Sequence, residues 1–328
     1  MNKWLFSLLL VPVLVLTGCG ASGGGASSAE AQPPAQPNTA LTAAEVTAAY
    51  EQAAQAYDWF NLSTMDTKGG EVEQDGIPFH PVADPRFSTL ADLETYLKTL
   101  FSDALTAQLL SEGQYRDIDG RLYASGGARG SNIYMVGKTV DAQQADEDHW
   151  TVTLTFYADS YELERPSATI GYSQTTVDYA YADGRWCFTS FCPSDDLDTD
   201  AETVYRFTYD GPFFSEADFE QWDTLKLACW MLHADGGYAE GPSDTLSYRA
   251  LTHTDDYFAA MAFLAGSPWE NTEYVRVASA YNAYTRFSAD EQKQYQAMLD
   301  TYQPKNAAEE AELKALREAY QTAMDNPV

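Results

Sequence analysis

Basic residues are scarce in this chain of 328 residues: 19 Lys and Arg stand against 49 Asp and Glu, and the formal charge at pH 7 is −30. A field of that sign repels phosphate backbones and anionic lipid headgroups, so it excludes nucleic-acid partners and favours cationic ones. Histidine is scarcer, with four in all. His80, His149, His233 and His253 fall in no H-E-x-x-H or paired Cys/His spacing, which leaves metal-assisted hydrolysis without support and implies no metal. The patterns G-x-S-x-G, S-x-x-K, G-x-x-x-x-G-K-[ST] and G-x-G-x-x-G are missing, so the serine-hydrolase, penicillin-binding, P-loop and dinucleotide readings lack their marks and no cofactor is implied. Cysteine is limited to Cys19, Cys187, Cys192 and Cys229. If Cys19 is modified, the other three cannot all pair internally; one bridge, Cys187 to Cys192 or either to Cys229, and buried thiols both remain open.

Long apolar runs are missing after residue 16. The one that exists, residues 4–16, follows Lys3 and leads through small residues to Cys19, which is the layout of an export signal. It is shorter than the roughly 20 residues that an uncleaved transmembrane helix needs. Leu16-Thr17-Gly18-Cys19 resembles the bacterial lipobox. That resemblance implies a signal peptide over residues 1–18, lipid on Cys19, and a chain held by its acyl group on the extracytoplasmic face of the cell membrane. Residues 19–40 (GASGGGASSAEAQPPAQPNT and neighbours) have no apolar period and read as a flexible tether.

The remainder is built to fold: 45% of the chain is apolar, 13% aromatic, and 22 residues are tyrosine. Helical spacing runs over 41–60 with Thr42 as cap, and again over 89–110 with Ser88 as cap, while the Gly- and Pro-rich 61–87 reads as loop. From Gln114 the period becomes two. Asp119-Gly120 and Asp183-Gly184 mark hairpins, and strands are expected near 132–140, 150–157, 175–181 and 185–191. The acidic stretch 194–202 reads as a linker between an α+β domain, 41–193, and a mainly helical one, 203–328. Asp196-x-Asp198-x-Asp200 begins like a calcium loop, but Ala201 and Phe207 stand where Gly and Glu are needed, so no calcium site is expected. After one strand at 203–209, a capping box at Ser215 opens a helix through Trp222 and Met231 that Gly236-Gly237 ends. Further helices follow at 255–264, 274–284, 288–302 (capping box Ser288/Glu291) and 307–324.

The fold class expected is therefore α+β, with N-terminal helices packed on a bent antiparallel sheet and a mainly α-helical C-terminal region. The run Phe87-Ser88-Thr89-Leu90, Leu93, Tyr96-Leu97, Leu109-Leu110, Asp119-Gly120-Arg121-Leu122-Tyr123 and Gly130, closing at Gly184-Arg185-Trp186, is similar to nuclear-transport-factor-2-like proteins of the IseA type. Those are exported inhibitors of cell-wall DL-endopeptidases. The resemblance implies a non-enzymatic binding or inhibitory module for a cell-envelope partner, either a cationic protein or one associated with peptidoglycan. An exported wall- or glycan-active hydrolase and a scaffold subunit of a surface complex are the alternatives. Tyrosine gives rigid contact area with a hydroxyl, so Tyr115, Tyr123, Tyr134, Tyr157 and Tyr172, with the loop histidine His80, are the candidate binding surface. No catalytic residue is selected.

Overall fold

The computed structural model describes residues 41–128, 130, 132–162, 167–192, 203–209 and 218–326. The signal, the tether with Cys19, the linker 194–202 and the Ser215 cap lie outside these residues. Helix α1, Ala43–Asn61, opens with the expected cap: Thr42 accepts from the Glu45 backbone N–H while the Glu45 carboxylate accepts from the Thr42 N–H. Those bonds hold the Glu45 carboxyl below its ordinary range. Strands β1, Val72–Gln74, and β2, Ile77–Pro81, form a hairpin across Asp75 and Gly76, both at positive φ, within the stretch expected to be loop. Asp75-Gly76 carries the same left-handed turn chemistry as the two recognised hairpins, but only three register pairs flank it, too few for an alternating pattern to show.

The single helix expected over 89–110 is two: α2, Leu90–Lys98, capped by Thr89, and α3, Asp103–Ser111, capped by Ser102. Residues between them leave the helix to bond a strand, the Phe188 N–H donating to Leu100 O and the Ser102 N–H to Phe188 O. The Arg185 guanidinium fastens the break, reaching Lys98 O, Phe101 O and the Asp103 carboxylate. The apolar spacing stays continuous because both helices face one core.

Strands β3, Tyr115–Ile118, and β4, Arg121–Ser125, complete a four-stranded antiparallel sheet in the order β1-β2-β4-β3. A second antiparallel sheet holds β5, Met135–Asp146, β6, His149–Glu162, β7, Ser167–Ala182, and β8, Arg185–Phe188. Strand β9, Thr203–Thr208, joins the same edge of β7 as β8 does: β8 pairs with residues 179–182 and β9 with residues 167–172.

Six α-helices follow among the described residues: α4, Thr224–Met231; α5, Gly237–Thr252; α6, Thr254–Gly266; α7, Thr272–Arg286; α8, Ala289–Thr301; α9, Ala307–Asp325. The fold is thus mixed α+β. Gly236, at φ +48°, precedes α5 and does not end a helix there as expected. Helix α5 also contains Pro242, which cannot donate to the carbonyl one turn earlier; the Trp230 indole N–H bonds that carbonyl, Tyr238 O, at 2.9 Å.

Two cores result. One gathers Val46, Tyr50, Leu93, Phe101, Val152, Leu154, Phe156 and Phe188 between α1–α3 and one face of the second sheet. The other gathers Tyr157, Ile170, Phe207, Trp230, Phe258, Tyr295 and Leu316 on its opposite face. Side chains alternate along β6 and β7, so these two long strands serve both cores.

Candidate functional site

The six residues expected to line a binding surface fall in three places. Tyr115 is buried in the first sheet, where its hydroxyl donates to Trp59 O at 3.1 Å and accepts the Met65 N–H at 2.9 Å, tying the end of α1 to β3. Tyr123 and His80 are half-buried on neighbouring strands of that sheet, and His80 Nε2 lies 3.9 Å from Glu71. Tyr157 and Tyr172 are cross-strand partners on the helical face of the second sheet, packed against Phe263 with ring centroids 5.7 and 4.7 Å away. Burial pushes the Tyr115 and Tyr157 hydroxyls above their ordinary range. Tyr134 alone of the six is exposed, at the rim of the second sheet. Cys19 lies outside the described residues.

Two arrangements resemble catalytic groupings and fail on order or burial. Asp178 sits between His149, at 3.0 Å, and the Ser190 hydroxyl, at 3.0 Å. A nucleophile relay needs histidine in the middle, and here the carboxylate is. Cys229 stands one helical turn from His233, but it is fully buried, and desolvation with the nearby Asp223 and Asp159 carboxylates holds its thiol well above the ordinary value. Such a thiol is a poor nucleophile. Burial likewise raises Cys187.

The geometry converges instead on the rim beside Tyr134. Asp159 of β6 meets His233, just past the end of α4: Nε2 lies 2.8 and 3.0 Å from the two carboxylate oxygens, with side chains 12% and 14% exposed respectively. The Tyr161 ring stacks on this imidazole, 4.6 Å between centroids and 4° between planes. Strand alternation puts Asp159 and Tyr161 on one face; nothing local in the sequence points to His233, which is 74 residues from Asp159. The Asp159 N–H in turn donates to Tyr134 O at 2.9 Å, which brings the segment before β5 alongside the pair.

Exposed apolar side chains lie on the segments that flank that pair. Ile133 is 83% exposed, Tyr134 53%, Val136 44% and Tyr161 38%. Strand β5 is a sheet edge, and the register shift between Met135 and Gly137 makes Val136 a bulge that interrupts the ladder. Gly137 is needed there, since a Cβ at that position would lie 2.9 Å from two atoms of the Pro268 ring. Several exposed apolar side chains near one sheet edge of a strongly acidic chain are a mark of an interaction surface. No protein-family model matches this chain, and no curated protein matches it at a significant level.

Proposed function

We propose that the chain is a lipid-anchored extracytoplasmic binding module that engages, and inhibits, a cationic cell-envelope protein such as a cell-wall hydrolase. The observation that carries the reading is the exposure of Ile133, Tyr134, Val136 and Tyr161 on a chain of formal charge −30. An apolar centre supplies contact area, and the acidic surroundings attract a basic partner and repel the anionic polymers of the envelope. Leu16-Thr17-Gly18-Cys19 supports anchoring, and residues 19–40 give the reach from the membrane that such a partner requires. Among the described residues no helix is long and apolar enough to cross a membrane.

The likeness to nuclear-transport-factor-2-like, IseA-type proteins belongs to the same proposal. Its support is the packing of α1–α3 on one face of a curved antiparallel sheet, with the quoted motif residues at the β3–β4 and β7–β8 turns. The test is to add the purified chain to cell-wall hydrolases at low and moderate salt. Inhibition that weakens as salt rises is expected. Turnover of wall fragments by the chain alone would overturn the reading.

A further inference from the structure

A cleft of about 610 Å³ opens on the helical side of the molecule, away from any residue singled out above except Trp222, Asp223 and Phe263. A 3₁₀ turn, Phe219–Gln221, and the start of α4 form one wall, α5 and α6 the others. Trp222 and Phe263, both half-buried, supply aromatic surface, and Ala259, Ala260 and Leu225 continue it. The volume falls in the range of small-molecule sites, and the lining mixes apolar with charged groups.

Its polar groups are unequal in sign. Among the described residues Arg249 of α5 lines the cleft and the Lys226 ammonium stands over the Trp222 ring, 4.1 Å from its centroid, against Glu220, Asp223 and Asp256. The guanidinium is held, among the described residues, through one nitrogen: Nη2 donates to Glu220 O at 2.6 Å and Trp222 O at 2.9 Å. Both acceptors are backbone carbonyls, and no carboxylate of the described residues forms an ion pair with it. The planar fork is therefore fixed in orientation, and among the described residues its Nε and Nη1 carry no hydrogen bond, which leaves donors of the kind that recognise a carboxylate. A simple anion would meet three carboxylates against two cations, one of them already set over the Trp222 ring, and gain little. A simple amine would meet the carboxylates but leave the fork unused.

From this geometry we infer that the cleft binds a small zwitterion: a carboxylate for Arg249, an ammonium for the Asp223–Asp256 side, and an apolar frame for Phe263, Leu225 and Ala259. Free α-amino acids with aliphatic side chains carry this chemistry, and so do short aliphatic peptides. Asp223 already caps α4, accepting the Lys226 N–H at 2.7 Å, and its position is fixed by that bond. Asp256 is exposed in the first turn of α6, so its charge can be removed without disturbing the core. The site is independent of the apolar rim and of the proposed inhibition.

The experiment is calorimetric titration of the full chain with four probes, with tryptophan fluorescence as the second readout because Trp222 lines the cleft. Leucine and dileucine carry both charges; 4-methylpentanoate lacks the ammonium and 3-methylbutylamine lacks the carboxylate. Leucine or dileucine should bind at least about tenfold more tightly than either singly charged probe, as expected for a charge-assisted fork. A preference for leucine identifies a free amino acid, and one for dileucine a peptide. Arg249→Gln should weaken the preferred zwitterion about tenfold or more. Because Arg249 also holds the 219–221 turn, Asp256→Asn is the second variant: it should narrow the preference for leucine over 4-methylpentanoate by about threefold while the melting temperature stays put. Equal binding of zwitterions and singly charged probes, no binding of any probe at millimolar concentration, or an unchanged preference in Asp256→Asn would each overturn the inference.

Discussion

Replacing Arg276 by methionine tests the packing of the helical core most directly. Arg276 of α7 donates from Nε and Nη2 to the two oxygens of Glu312 on α9, at 2.8 and 2.6 Å. The Glu312 side chain is 1% exposed and that of Arg276 16%. Taking away the guanidinium strands a buried carboxylate, a loss of about 3–5 kcal/mol at neutral pH. At about 2 °C per kcal/mol for a unit of this size, the melting temperature should fall by about 6–10 °C. Desolvation raises the Glu312 carboxyl above its ordinary 4.5 even with Arg276 present, and Arg276 opposes that rise. Without it the folded-state value climbs further. A group that binds its proton more tightly when folded contributes stability below its unfolded pKa and loses it as pH rises through the folded value. The deficit of Arg276→Met should therefore be smallest near the ordinary carboxyl range, about pH 4–5, and full by about pH 8. Arg276→Met with Glu312→Leu should restore most of the loss, because an apolar pair of similar volume replaces the ion pair. Urea unfolding across that pH range measures Arg276→Met, Glu312→Leu and the double variant. A deficit that does not change with pH, or a double variant as unstable as the sum of the singles, would refute the reasoning.

Three further outcomes are expected. Ile133→Ser with Tyr134→Ser should weaken inhibition of the hydrolase at least about tenfold, since central apolar contacts carry most interface energy, and should leave the melting temperature unchanged because both side chains are exposed. Gly137→Ala should destabilise the fold by about 1–3 kcal/mol through overpacking against Pro268, read as a shifted denaturation midpoint at constant slope. Cys19→Ser should abolish the acyl mass on the N-terminal peptide and release the chain from membranes; mass spectrometry that finds no acyl group on Cys19 in the parent chain would overturn the anchoring proposal.

Local chemistry made much of this architecture readable. The Thr42 cap and the Ser288/Glu291 box are bonds within four residues, and both form as the sequence indicates; at Thr42 the Glu45 carboxylate closes a full box as well. Asp119-Gly120 and Asp183-Gly184 sit in the left-handed conformation that such turns require. What escaped was decided at a distance. The break between α2 and α3 depends on Phe188 and Arg185, more than eighty residues downstream. Helix α5 was hidden by Gly236, Gly241 and Pro242, all local breakers, and is rescued by an indole from α4. The candidate site shows the same division. Tyr134 was legible as a tyrosine fit for contact, but it lies in the turn that precedes β5, and the Asp159–His233 pair beside it joins elements with no sequence signature in common. Tyr115 and Tyr157 have the same composition signal as Tyr134 and lie inside the cores, since residue type does not say which face of a strand is covered.

The double duty of β6 and β7 governs how this molecule comes apart. Val152 and Leu154 anchor one mass of side chains and Tyr157 anchors the other, a few residues along the same ribbon. Melting either mass loosens the register that holds its neighbour, so heat should produce one cooperative transition across residues 41–326. Cleaving the backbone between β8 and β9 would leave the fragments clasped together, each completing a surface the other needs covered.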